Sequence, residues 1–367
     1  MKTCPLLDLC SLKQADRSGF TLVELLVVVF ILSTLALTGL ALTETADSQL
    51  RFEDTQARLR ALKRAVIGDT EPVFDGRRLL SGFVVDNGLL PDSLQTLSTP
   101  VILFAEDAVF GNKLPVFDPR PDADGLNDGN VSGPPGEDEV VLGNPGEILF
   151  KGFRGPYINT RAGTDSYRDG WGNVHAADAD DDSQNYGWRL EHFTVPPLGD
   201  GLRITSFGSD GFDDALVAPI DEVYGHDLEI QIARQDWQVD LGTLTATVLN
   251  ETDQDVPSPG DGDLRICVLV YFYDTSDPGA PVVRWKRING TPSSTPIPSG
   301  SEATFTFSPD RFVPIGRHLA LLISDPDGVE NSGDEEPFES PGSEERVSAQ
   351  ASFYPRTYPQ NLTLSIR

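Results

Sequence analysis

Two kinds of side chain could carry chemistry here: four histidines, and a carboxylate set inside an apolar run. His175, His192, His226 and His318 lack the H-E-x-x-H spacing of a helix-borne zinc site. The chain also has no G-x-S-x-G nucleophile elbow and no P-loop. Pairs of carboxylates say little where 57 Asp and Glu are spread over 367 residues, so a non-catalytic protein is expected. Glu24 is different. It is the only charge between Phe20 and Leu42, a stretch of 23 residues built otherwise from Leu, Val, Ile, Phe, Ala, Gly, Thr and Ser. A carboxylate at the centre of a spanning helix costs roughly 2.5–3.5 kcal/mol on insertion scales, and less near the interface, so Glu24 calls for a partner.

The element that must position Glu24 is a helix, since 23 apolar residues are enough to span a bilayer. Nineteen mostly polar residues with Lys2, Lys13 and Arg17 precede it, and the positive-inside tendency keeps them cytoplasmic and sends the remainder outward. A secretory signal peptide would have a shorter apolar region followed by an Ala-x-Ala-like site, and neither is found.

The string Gly19-Phe20-Thr21-Leu22-Val23-Glu24-Leu25-Leu26-Val27-Val28 resembles the leader junction of the type IV pilin and pseudopilin superfamily. The resemblance implies a leader of residues 1–19, cleavage between Gly19 and Phe20 by a membrane prepilin peptidase, and methylation of the new Phe20 amine. It also implies a partner for Glu24, the freed ammonium of Phe20 in a neighbouring subunit, so that the pair sets axial register in a filament. The bland alternative is a plain signal anchor in which Glu24 snorkels toward the headgroups. Cys4 and Cys10 fall in the leader and have no lipobox around them.

Past the apolar run, Phe52, Leu59, Leu62 and Val66 recur at helical spacing, so the helix is expected to continue from residue 20 to 67 and stop at Gly68, Asp69 and Pro72. Arg51, Arg58, Arg60, Lys63 and Arg64 are expected on its solvated side. Residues 68–225 then resemble the head of the major pseudopilin of type II secretion. The matching elements are Asp86-Asn87-Gly88 with Pro91, Gly155-Pro156-Tyr157-Ile158, Asp169-Gly170-Trp171-Gly172-Asn173, and Ser206-Phe207-Gly208-Ser209-Asp210-Gly211, in that order. Trp171, between two glycines, is expected to be a buried anchor that docks its loop on a small antiparallel sheet.

That family binds calcium in the loop after the last of these elements, so the resemblance implies a site at Asp210, Asp213 and Asp214, with Asp221 close behind. Hard oxygen ligands suit calcium, which takes 6–8 of them. The family's downstream Gly-Gly and late Asp pair are replaced here by Asp213-Asp214, and a solvated acidic loop is the competing reading. The acidic runs at 122–129 and 178–182 are expected to be solvated loops.

Beyond Gly225, apolar residues alternate at Leu228–Ile232, Leu244–Val248, Leu264–Phe272, Ala303–Phe307, Leu319–Ile323 and Leu362–Ile366, with further candidates near Val282 and Val347. About eight strands between turn-forming clusters resemble an immunoglobulin-like β-sandwich over 226–367. Cys267 is expected to be a small core residue, the aromatics Tyr271, Trp237 and Trp285 core rather than a sugar platform, and Asp325–Ser348 a long exposed loop. The fold class is therefore α+β, a pilin-like helix and sheet followed by an all-β module.

The charge distribution agrees with an exported protein. Residues 1–66 hold 8 basic and 7 acidic side chains, while the rest hold 20 and 50. A net charge of -29 repels phosphate backbones and disfavours nucleic acid as a partner. The expected partners are prepilin peptidase, other pilin or pseudopilin subunits, the inner-membrane secretion machinery and the membrane. The expected location is the bacterial inner membrane, single-pass, with the C-terminal domains in the periplasm. A minor pilin or adhesin displayed at the cell surface is the alternative.

Overall fold

The computed structural model describes residues 21–69, 73–74, 77–78, 80–98, 154–159, 167–174, 179–195, 199–216, 223–257, 262–274, 282–326, 336–338, 340–341, 347–354 and 361–367. Gly19, Phe20, Asp221 and the acidic run 122–129 lie outside them. In chain order the elements are α1 (Leu22–Ile67), the short strands β1 (Val73–Phe74) and β2 (Arg77–Arg78), and the helices α2 (Phe83–Asn87), α3 (Gln95–Ser98) and α4 (Ala179–Asn185). Strands β3 (Arg189–Val195), β4 (Gly199–Ser206) and β5 (Leu228–Ile232) follow, then α5 (Arg234–Trp237), β6 (Gln238–Asp240) and β7 (Thr245–Asn250). The rest are β8 (Asp263–Asp274), β9 (Val282–Asn289), β10 (Glu302–Thr306), β11 (Phe312–Pro314), β12 (Gly316–Asp325), β13 (Glu336–Pro337), β14 (Ser348–Phe353) and β15 (Leu362–Ile366). The chain divides into two units, Met1–Leu50 and Arg51–Arg367.

In the first unit, the described part of α1 is exposed along almost its whole length, including Leu22, Leu26, Phe30, Leu35 and Leu42. Its few hydroxyls turn back on the helix: Ser33, Thr34, Thr38 and Thr43 donate to the carbonyls of Val29, Ile31, Thr34 and Gly39. These hydroxyls are thus satisfied within the helix, as a hydrocarbon environment requires. By length and composition α1 can cross a membrane.

In the second unit, Thr55, Leu59, Leu62 and Val66 are buried on one stripe of α1. The helix ends at Gly68, whose φ of 78° suits glycine and whose N–H donates to Arg64 O at 2.8 Å. The basic residues are not all solvated. Arg58 bonds to the Arg168 carbonyl, and Lys63 reaches Gln231 O at 2.9 Å and Asp236 at 3.0 Å. Arg60 and Arg64 are exposed. The Asp86-Asn87-Gly88 segment, expected as a turn, is the end of α2, with Gly88 at φ 73° donating to Val84 O.

The head sheet is antiparallel in the order β3-β4-β5, with Leu202, Ile204 and Ile232 buried. Strand β5 was expected in the C-terminal module. It pairs instead with β4 (Leu202 with Ile232, Ile204 with Ile230), so the head sheet extends past Gly225 to Ile232.

The remaining strands form a three-stranded sheet in the order β10-β7-β15, in which β7 and β15 run parallel, and a five-stranded sheet in which β12 pairs with β8, β13 and β14 and β8 pairs with β9. A two-stranded β6-β11 pair completes them. Strands β8 and β12 were expected to alternate, yet they are buried on both faces. Leu264, Ile266 and Val268 join the main core, and Cys267, Leu269 and the Arg265–Asp325 ion pair are buried on the other side. Part of the segment expected as a long exposed loop is structured, because β13 pairs with β12 and Phe338 N–H donates to Leu322 O.

Among the described residues, most buried apolar side chains form one continuous cluster, from Leu59 and Leu62 through Ile204 to Val248, Ile266, Leu322 and Leu364. Helix α2 packs against β8 and β12, and α5 against β4. Trp237 is buried and donates its indole N–H to Asp200 O at 3.0 Å, which welds α5 to the head sheet. Tyr271 and Trp285 are register partners on β8 and β9, and their side chains lie outside the described residues.

Candidate functional site

Glu24 sits in the first turn of α1 and closes a capping box with Thr21. Thr21 N–H donates to Glu24 Oε2 at 2.9 Å, the Thr21 hydroxyl to the same oxygen at 3.0 Å, and Glu24 N–H to Thr21 Oγ1 at 3.3 Å. Two donors that a helix start leaves unpaired are satisfied reciprocally. Glu24 therefore has a local role that reading it only as an assembly residue missed, although Thr-x-x-Glu before an apolar run is itself the capping signature. Oε1 makes no hydrogen bond among the described residues and is open to a group from outside the chain. Gly19 and Phe20, the expected cleavage and methylation residues, lie outside the described residues.

The acidic loop leaves the end of β4. Buried Asp169 gathers the preceding Asp-Gly-Trp-Gly-Asn segment: Oδ1 accepts from Gly172 N–H at 2.7 Å and Asn173 N–H at 3.0 Å, and Oδ2 from the Ser206 hydroxyl at 2.6 Å and Asn173 Nδ2 at 2.8 Å. Asn173 Nδ2 also donates to Gly208 O at 2.8 Å. At Gly208, φ is 63° and a Cβ would lie 2.5 Å from Gly225 O, so only glycine lets the returning chain pass. Arg168 grips Asp182 with two bonds of 2.7 Å, which gives that member of the 178–182 run a structural partner where a solvated loop was expected.

Trp171 is only partly buried, and it docks on α1, its ring centroid 6.3 Å from that of Phe52 in an edge-on arrangement. Tyr224, on the far side of the loop, packs on the same Phe52 at 5.8 Å. Gly170 N–H donates to Thr55 Oγ1 at 2.9 Å. Both loops thus rest on one stretch of α1.

The three predicted metal ligands are used separately. Asp210 Oδ1 accepts from Phe212 N–H at 3.0 Å. Asp213 forms an ion pair with Arg189. Asp214 faces Asp227, which was not among the predicted ligands: Asp214 N–H donates to Asp227 Oδ2 at 3.2 Å, and Asp214 Oδ2 accepts from Asp227 N–H at 3.0 Å and lies 3.1 Å from His226 Nδ1. Asp214 Oδ1 and Asp227 Oδ1 are both buried with no hydrogen-bond partner among the described residues. Burial pushes the Asp227 carboxyl up to about 6; the Asp214 N–H opposes this, the Asp214 and Asp213 charges add to it, and Arg189 opposes it. Among the described residues, no group of three His, Cys, Asp or Glu side chains is placed to hold a metal ion. Two orphaned carboxylate oxygens in a loop rich in carbonyls do fit a hard cation.

Residues 15–40 match the family described as the Prokaryotic N-terminal methylation motif. The matched span contains Gly19, Phe20 and Glu24. It supports the type IV pilin and pseudopilin superfamily, with processing by prepilin peptidase and membrane anchoring through α1. No curated protein and no solved structure matches the chain.

Proposed function

We propose that the chain is a pseudopilin-like structural subunit of a type II secretion filament or a related type IV filament, without catalytic activity of its own. It is matured between Gly19 and Phe20, methylated at Phe20 and assembled through α1, with its globular part in the periplasm. The observation that carries this reading is the methylation motif at 15–40 on an apolar helix whose Glu24 keeps one carboxylate oxygen open. The Phe20 ammonium of an adjacent copy is the natural occupant. At 4 Å and an effective dielectric of ~20 the pair attracts by roughly 4 kcal/mol before desolvation is subtracted. Inside a helical bundle that attraction fixes how far one copy is displaced along the next.

Calcium is proposed for the acidic loop, held by the orphaned oxygens of Asp214 and Asp227 together with backbone carbonyls. Asp210 and Asp213 shape the loop around them through the Phe212 N–H and Arg189. The ion would supply positive charge where two carboxylates are held together, and so would stiffen the return from Gly208 to Gly225.

The test is the intact mass and N-terminal sequence of the membrane-extracted protein, expressed with a prepilin peptidase. A methylated Phe20 start is expected, and Gly19→Arg should leave the precursor uncleaved. A wild-type chain that keeps residues 1–19 would overturn the reading. A second reading, a minor pilin displayed at the cell surface, is favoured by the three sheets added beyond Ile232, which a densely packed major subunit has little room for. Immunogold labelling of intact cells separates the two.

A further inference from the structure

Of the three histidines among the described residues, His192 and His226 are exposed and His318 is buried. His318 stands on the core face of β12 with Ala320 and Leu322, its ring 5.6 Å from that of Phe353 on β14. Both ring nitrogens meet backbone carbonyls. Nδ1 is 3.1 Å from Leu269 O on β8, and Nε2 is 2.7 Å from Pro314 O at the end of β11. A carbonyl oxygen only accepts, so each of these bonds needs an N–H from the ring. A neutral imidazole has one N–H and an imidazolium has two. The neutral ring would set a nitrogen lone pair against a carbonyl oxygen in the core, the costly case of a buried bond left unmade. Burial opposes the positive charge, and two charge-assisted bonds, each roughly twice as strong as a neutral one, offset it.

The two carbonyls belong to the two sides of a joint. Strand β11 passes into β12 at Gly316, whose φ of 142° suits glycine, and the bond from His318 to Pro314 O closes that bend. Pro314 pairs with Gln238 on β6, Ile315 N–H donates to Trp237 O at 2.8 Å, and the Trp237 indole is tied to Asp200 O of the head sheet. His318 therefore fastens β8, in the middle of the five-stranded sheet, to the bend that leads through α5 to the head.

The charged and titratable groups on the surrounding elements are bound or exposed elsewhere. On β8 and β12, Arg265 and Asp325 bind each other on the opposite face, which Asp263 and Cys267 share, and Arg317 is exposed. Asp86 of α2 accepts from the Tyr157 hydroxyl, and Asp240 of β6 from Gly242 N–H. On α5, Asp236 pairs with Lys63 and Arg234 stacks over Phe312. Glu302 of β10 is exposed, and β14 carries no charged residue. The side chains of Tyr271, Tyr273 and Asp274 on β8, of Arg284, Lys286 and Arg287 on β9, and of Glu336 on β13 lie outside the described residues.

We infer that His318 is an imidazolium in the folded chain at neutral pH, and that its two N–H groups form a pH-sensitive clasp holding the Gly316 bend on β8. Loss of one proton breaks one of the two bonds and loosens the bend, and with it the joint to α5 and the head sheet. The sign follows from the unfolded chain, where the same side chain titrates near its ordinary value of about 6.5. The folded chain holds the proton more tightly, so the clasp contributes in full below about pH 6.5 and is lost as pH rises through the folded-state titration.

The test uses the full-length chain in detergent with His175→Gln, His192→Gln and His226→Gln, so that His318 is the sole imidazole. With histidine labelled by ¹⁵N, magnetic resonance should show a proton on both ring nitrogens at about pH 7, and the loss of one at higher pH. A ring with a single N–H at about pH 7 overturns the inference. Amide hydrogen exchange of a peptide containing Ile315, corrected for the intrinsic effect of pH, should quicken by about tenfold or more over the range in which the ring titrates. Peptides from β3 should keep their protection over that range. Exchange at Ile315 that ignores the titration, or a loss of protection shared by β3, overturns the clasp. Adding His318→Gln should abolish the pH step, and a step that survives it also overturns the clasp. Should that variant fail to fold, the spectrum and the exchange of the chain that keeps His318 still decide.

Discussion

The Ser206 hydroxyl donates to Asp169 Oδ2 at 2.6 Å in a buried contact that joins two sequence elements 37 residues apart. Through it the Asp-Gly-Trp-Gly-Asn segment and the Ser-x-Gly-x-Asp-Gly segment become one structure, which Asn173 ties again at Gly208 O. Neither element could be seen from its own residues to need the other.

Ser206→Ala should therefore destabilise the fold more than removing an exposed hydroxyl would. Loss of a buried hydrogen bond to a charged group costs about 1.5–3 kcal/mol. Thermal melting of the detergent-solubilised chain measures it, and an unchanged melting temperature would show that the contact contributes nothing.

Glu24→Ala should allow cleavage at Gly19-Phe20 but leave few copies in filaments. Thr21→Ala, which removes the other half of the capping box, should cost roughly 1 kcal/mol of local helix stability and leave assembly largely intact. Sheared-filament yield set against mature protein in the membrane distinguishes the two. Equal assembly defects would place the role of Glu24 in capping.

The acidic loop should be calcium-sensitive. A ligand that binds only the folded state adds about 2.7 kcal/mol at a hundred times its dissociation constant, so the melting temperature should rise with calcium over chelator. Asp227→Ala and Asp214→Ala should each abolish the rise, and magnesium should substitute poorly because it demands a smaller, nearly octahedral shell. If both variants respond to calcium as wild type does, the ion binds elsewhere.

Without calcium, Asp227 gives stability a pH dependence of definite sign. Its folded-state value is about 6 against 3.8 for the ordinary group, so between these values the folded chain holds the proton more tightly than the unfolded chain. The contribution of this group must fall as pH rises from about 4 to about 6, and the penalty is complete above that. Subtracting the Asp227→Asn profile from wild type in chelator isolates the slope, and a difference that is flat or of opposite sign would contradict the assignment.

Residues 226–367 expressed alone should fail to unfold cooperatively. Cutting there strips β5 of β4, leaves Asp236 without Lys63 and takes α2 off β8 and β12. A sharp transition in that fragment, equal to that of the same strands in the full chain, would show instead that the module folds independently.

Much of this was legible in the residues alone, because it is local. An uninterrupted apolar run, the Phe52–Val66 spacing and Gly68 specify α1 and its end, since helix hydrogen bonds join near neighbours. The alternating runs placed most strands, and the leader junction with Glu24 is readable as a short contiguous motif. Tertiary structure decided what each strand pairs with and which carboxylates meet. Strand pairing and charge clustering join residues far apart in the chain, and a run such as Leu228–Ile232 has the same pattern whichever sheet it enters. Asp213 looked like a ligand until Arg189, 24 residues earlier, was brought to it by the fold. Asp227 carried no signal of its own in the sequence, and only the chain's return past Gly208 sets it against Asp214.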